Sequence, residues 1–102
     1  MSSLDDSLVS DAIVRYIGED RSPFPLDEIS AVRKAHANEG LELTSMIVQT
    51  LVRSEAITPG EVAPSDDGLR ERLYEKLRAL FPGLSEQAVR AIAWRWGFLN
   101  LR

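Results

Sequence analysis

The sequence predicts an all-α fold, a compact bundle of about five short helices forming a single domain over residues 1–102. Three observations carry this expectation. Apolar residues recur at spacings of three and four through most of the chain, as one face of a helix requires, and polar residues in the ambiguous stretch 41–56 do not alternate as in a half-buried strand. The runs are interrupted by Gly18, Ser22-Pro23-Phe24-Pro25, Asn38-Glu39-Gly40 and Pro82-Gly83, residues that stop helices. With 44% hydrophobic and 27% charged residues in 102, the chain has enough apolar surface for one core without disulfides or metal.

The first helix is expected over residues 4–17. Leu4, Leu8, Val9, Ala12, Ile13, Tyr16 and Ile17 form one stripe, Ser3 is a capping residue, and Asp5 and Asp6 suit the positive end of the helix dipole. Gly18 is suited to ending it. Residues Glu19 to Phe24 then form a turn, because the prolines forbid helix before the second of them. Pro25 suits a first helical position, so a second helix is expected from there to about Asn38, with Leu26, Ile29, Val32, Ala35 and His36 facing inward.

Residues 41–56 pose a choice between helix and strand. Thr44, Ile47, Val48, Thr50 and Val52 are β-branched and have modest strand propensity. The period decides for a helix: Leu43, Ile47 and Leu51 repeat every four, with Met46 and Thr50 beside them. Thr58-Pro59-Gly60-Glu61 has capping-box spacing for a single turn, and Pro64-Ser65-Asp66-Asp67-Gly68 reads as a polar loop. Leu69, Leu73, Leu77 and Leu80, flanked by Tyr74 and Phe81, mark a fourth helix that Pro82-Gly83 ends. On its polar face Glu75 with Arg72 or Arg78 is the useful opposite-charge pair. Ser85 caps a fifth helix that buries Val89, Ile92, Ala93 and Trp96 and runs to about Gly97.

Several chemistries find no footing. The chain has no cysteine, which excludes disulfides, thiolate metal sites and cysteine nucleophiles. His36 is the sole histidine, and Glu39 is its only close carboxylate, so it reads as a packing residue with a polar tip and no metal site is assigned. The paired acids Asp5-Asp6, Glu19-Asp20, Asp27-Glu28 and Asp66-Asp67 decorate helix starts and loops and match no calcium-loop pattern. The six glycines are scattered, and no phosphate-cradling loop exists. No catalytic residue, cofactor or small-molecule substrate is therefore assigned, and the chain is expected not to be an enzyme. An acidic N-terminus unlike a signal peptide, no membrane-length apolar run and no cysteine together lead to the expectation of a cytoplasmic protein without membrane association.

Net charge is −4, unevenly spread. Acids dominate the first thirty residues, whereas Arg70, Arg72, Lys76, Arg78, Arg90, Arg95 and Arg102 outnumber the acids of the last third. Such polarity is satisfied by pairs within the chain or by head-to-tail association. Nucleic-acid binding through the basic third is the alternative functional reading, opposed by a sequence pI of about 4.9.

Residues Leu77 to Ile92, with Phe81-Pro82 followed by Leu84, Val89 and Ile92, resemble the opening of a CUE-type ubiquitin-binding three-helix module. The module's third helix with its leucine pair has no counterpart in the residues that follow, so no family is assigned and no binding residues are carried over.

The segment Trp94-Arg95-Trp96-Gly97-Phe98-Leu99-Asn100-Leu101-Arg102 is the most informative. If the fifth helix buries Trp96, Trp94 lies about 200° away around the axis and needs another surface, either a neighbouring helix or a partner. Tryptophan and arginine are enriched at interface hot spots. The expectation is a non-enzymatic interaction or regulatory module whose Trp94, Arg95, Phe98 and Leu101 contact another protein chain, a second copy being one candidate.

Overall fold

The computed structural model describes residues 6–58 and 69–100, the side chains of Leu69 and Arg70 excepted. Among them the chain is all-α: α1 (Asp6–Ile17), α2 (Ile29–Ala35), a 3-10 turn (Ala37–Glu39), α3 (Gly40–Glu55), α4 (Leu69–Leu80) and α5 (Glu86–Asn100). The Ser3 cap, the Thr58–Glu61 capping box beyond Thr58, the Pro64–Gly68 loop and Leu101 lie outside the described residues.

α1 and α5 are the principal pair, and the other helices pack around them onto one core. Ile13, Ile17, Val32, Leu43, Ile47, Leu77, Ile92 and Trp96 are almost wholly inaccessible to solvent. α1 stops where expected. Gly18 adopts φ +75, its amide donates to the Val14 carbonyl at 2.9 Å, and a Cβ there would meet Leu26 Cδ1 at 2.8 Å.

The second helix is shorter than expected, beginning at Ile29 rather than Pro25 and ending at Ala35 rather than Asn38. At its start the backbone is held against the end of α1 instead. The Leu26 amide is given to the Ile17 carbonyl and the Glu28 amide to Tyr16, each at 2.9 Å, so this segment is laced back along α1. Asp27 between them sits at φ +48, a left-handed conformation that a helix forbids and that aspartate tolerates better than most residues. At the far end His36 leaves helical geometry, and Gly40, expected as a stop, has φ −53 and opens α3. Of the inward face expected for α2, only Val32 is fully buried, and Ala35 is exposed.

α3 is helical throughout, so the four-residue repeat of Leu43, Ile47 and Leu51 outweighs the β-branched content. Thr44 Oγ1 donates to the Gly40 carbonyl at 2.6 Å and Ser54 Oγ to Leu51 at 2.7 Å, which satisfies hydroxyls that would otherwise disfavour the helix. Met46 is on the outside, 40% exposed. In α4, Leu73 and Leu77 are buried, and Phe81, whose amide bonds the Leu77 carbonyl, closes the helix against the core. Glu75 acts on Arg78 as a nearby charge, and Arg78 additionally forms a bidentate pair with Glu86 of α5 at 2.7–2.8 Å. Ser85 caps α5, its Oγ accepting the Ala88 amide at 3.1 Å. α5 continues past Gly97 to Asn100, whose Nδ2 donates to the Trp96 carbonyl at 2.9 Å.

Candidate functional site

The C-terminal residues expected to make a contact surface are largely committed to the protein's own interior. Trp96 is buried, and its Nε1 donates to the Ile57 carbonyl at 3.0 Å, fastening the exit of α3 to α5. Trp94, on the other side of the helix, packs half-buried against the same core cluster. A neighbouring surface within the fold therefore receives it. Phe98 is half-buried as well, and Leu99 is 44% exposed.

Arg95 departs furthest from its expected place in a contact surface. It is a buried residue at 9% exposure, because the segment laced along α1 and the end of α3 both bring carboxylates to it. Its Nε and Nη2 reach Asp27 at 3.1 Å, and its Nη1 reaches Glu55 at 2.8 Å. Burial disfavours the guanidinium charge, but the two carboxylates outweigh it and raise the pKa. The same group acts on Tyr16: burial and the Asp27 charge push its phenol pKa up. The left-handed Asp27 is the residue that turns this carboxylate inward, so the backbone conformation and the ion cluster support one another.

The other arginines of the basic third have similar engagements. Arg78 is paired with Glu86, and Arg90 lies 3.5 Å from Glu19. The charge polarity of the chain is thus met in part internally, acids of the first third pairing with arginines of the last at Glu19–Arg90 and Asp27–Arg95.

His36 is not simply a packing residue. Its Nε2 meets Asp11 Oδ2 at 2.6 Å, and Arg15 Nε approaches the same oxygen at 2.7 Å. The bond ties the end of α2 to the middle of α1. Beside it a cleft of about 400 Å³ runs between α1 and the start of α5, where Ser10 Oγ accepts the Ser85 amide at 2.9 Å and Arg21 donates to the Arg15 carbonyl. Its polar groups are thus bonded largely to one another. Among the described residues no group of three His, Cys, Asp or Glu side chains is placed to hold a metal ion, and no helix is long and apolar enough to cross a membrane.

The outer face of α3 is the feature that the sequence reading passed over. At 100° per residue Leu41, Ser45, Val48 and Val52 lie within about 60° of one another, roughly opposite the buried face of Leu43, Ile47, Thr50 and Ser54. Leu41 is 84% exposed, Val52 59% and Val48 49%. α4, by comparison, exposes Glu71, Arg72, Glu75 and Arg78. The signal was present in the sequence: once residues 41–56 are accepted as helical, the valines not used by the inner stripe fall on a second apolar stripe.

The chain matches no protein-family model, and comparisons with curated proteins and with solved structures found no match.

Proposed function

We propose that this chain is a non-enzymatic protein-interaction module that docks another protein chain on the outer face of α3, in a cytoplasmic setting. One observation carries the reading. Leu41, Val48 and Val52 form an exposed apolar stripe along a helix whose opposite face already supplies the core. Valine is a poorer helix former than the lysine, glutamate or glutamine that usually fill a solvent face, so water-facing valines cost helix stability and gain nothing unless the face is covered. This reading moves the contact surface away from the C-terminal segment, where Arg95 and Trp96 serve the interior. Nucleic-acid binding is not favoured, since Arg78, Arg90 and Arg95 lie against carboxylates rather than on an open basic face.

The test is capture of protein partners from cell extract by the parent and by Val48→Lys and Leu41→Lys variants of unchanged circular dichroism. Loss of a captured protein with both variants supports the docking face. Capture indifferent to both removes it.

A further inference from the structure

Building on the docking reading, we infer that the occupant of this face is a second copy of the chain, its α3 laid antiparallel on the first in a weak two-fold dimer. The spacing of the exposed stripe supplies the first argument. Leu41, Ser45, Val48 and Val52 follow one another by four, three and four residues, the seam spacing of helices that pack side by side. Reversed on itself, this seam closes without remainder: Leu41 stacks on Val52 of the other copy and Ser45 on Val48, and both layers then repeat by the two-fold. Each layer joins the larger side chain to the smaller. The Ser45 oxygen accepts a hydrogen bond from Gln49 Nε2 at 3.3 Å, so its acceptor side is met within the chain.

Charge fixes the direction. Glu42 and Arg53 lie on the same flank of the stripe, near opposite ends of α3, and both are exposed. Antiparallel helices bring like flanks together, so Glu42 of each copy comes to the Arg53 end of the other. A parallel arrangement sets this flank against that of Thr44, Leu51 and Glu55, and the Glu55 carboxylate is already held by Arg95 Nη1 at 2.8 Å. Arg53 in the single chain rests over the Phe81 ring at 4.9 Å and reaches the Leu80 carbonyl at 3.5 Å. That long bond uses one of five guanidinium donors and leaves room for a second acceptor. Antiparallel packing also opposes the two helix dipoles favourably.

The area sets the strength. A standard interface buries about 800 Å² on each partner, and three apolar side chains on one short helix provide less, so a weak dissociation constant is expected. The dimer therefore assembles where the chain is locally concentrated.

The experiment is sedimentation equilibrium of the full chain from about 10 μM to about 1 mM, a range that covers weak association. A monomer–dimer equilibrium is expected, weakened at least tenfold by Val48→Lys with an unchanged melting temperature. Glu42→Arg should weaken it and the double variant Glu42→Arg with Arg53→Glu should restore it. Because the chain has no cysteine, Ser45→Cys and Val48→Cys proteins can be mixed and oxidised; an antiparallel seam crosslinks them to each other faster than either to itself. Faster self-crosslinking of the Val48→Cys protein overturns the antiparallel order, and a dimer insensitive to Val48→Lys overturns the proposed seam. A parent that stays monomeric throughout overturns self-pairing. In that case Val48-dependent capture of another protein leaves the docking face standing, whereas capture indifferent to Val48 sinks both readings.

Discussion

Arg95 on the last helix grips Asp27, 68 residues earlier in the chain, through both Nε and Nη2, and its remaining Nη1 holds Glu55. Three segments that share no local hydrogen bonding are thereby pinned at one guanidinium. Its planar fork is the only side chain that can serve two carboxylates in this way.

Arg95→Ala should therefore destabilise the protein by about 2 kcal/mol, below the 3–5 kcal/mol of fully buried pairs because Asp27 and Glu55 are partly solvated. Arg95→Lys should recover only part of the loss, since an ammonium cannot reproduce the bidentate contact. Urea unfolding of the two variants checks this. Equal stability of Arg95→Lys and the parent would mean that the charge alone suffices.

Trp96→Phe keeps most of the buried ring but removes the donor to the Ile57 carbonyl. The expected cost is about 1–3 kcal/mol, chiefly from leaving that acceptor unsatisfied in the interior. Thermal melting should show a fall of several degrees, roughly 4–8 °C per kcal/mol at this size. A melting temperature unchanged by the substitution would show that water replaces the indole at that carbonyl.

Asp11 is expected to shape the acid limb of stability. Burial raises its pKa, but the hydrogen bonds from Arg15 and His36 outweigh burial and hold it below the ordinary 3.8. A carboxylate with a lowered folded pKa contributes stability that is fully present above its unfolded value and is lost as pH falls through the folded one. Asp11→Asn should then cost less than about 1 kcal/mol at neutral pH, because the side chain is 43% exposed. Below pH 3.8 the difference from the parent should shrink towards zero. Melting temperatures across pH 2 to 7 read this directly; a gap that widens in acid would contradict it.

The fold was legible wherever a single stripe of apolar residues and its stop residues agreed. α1, α4 and the cap and core face of α5 follow from Ile13 with Ile17, from Leu73 with Leu77, and from Ser85 with Trp96. The short α2 was not legible, because what shortens it is not local: the Leu26 and Glu28 amides are drawn to carbonyls at the end of α1, a tertiary contact that no window of sequence contains. Arg95 was misplaced for the same kind of reason. An arginine between two tryptophans looks like a surface anchor until the turn at Asp27 delivers a carboxylate to it. The stripe of Leu41, Val48 and Val52 was hidden differently, since its valines were weighed as evidence about helix or strand rather than asked which face they occupied.

The partnership of α1 with α5 bears on how the chain reaches its fold. Helical bundles with neighbouring partners assemble quickly because their contacts close short loops. Here the Ser10 hydroxyl waits for the Ser85 amide 75 residues later, and Asp27 waits for Arg95. During synthesis, Ile13 and Ile17 emerge long before Val89, Ile92 and Trp96 exist to cover them. Until α5 has left the ribosome, the side of α1 that packs against it stays uncovered, while α2 and α3 can already pack on its other sides. Docking of α5 is then a late closure over a partly packed set of earlier helices, and the interval before it is when the chain depends most on being shielded from its neighbours.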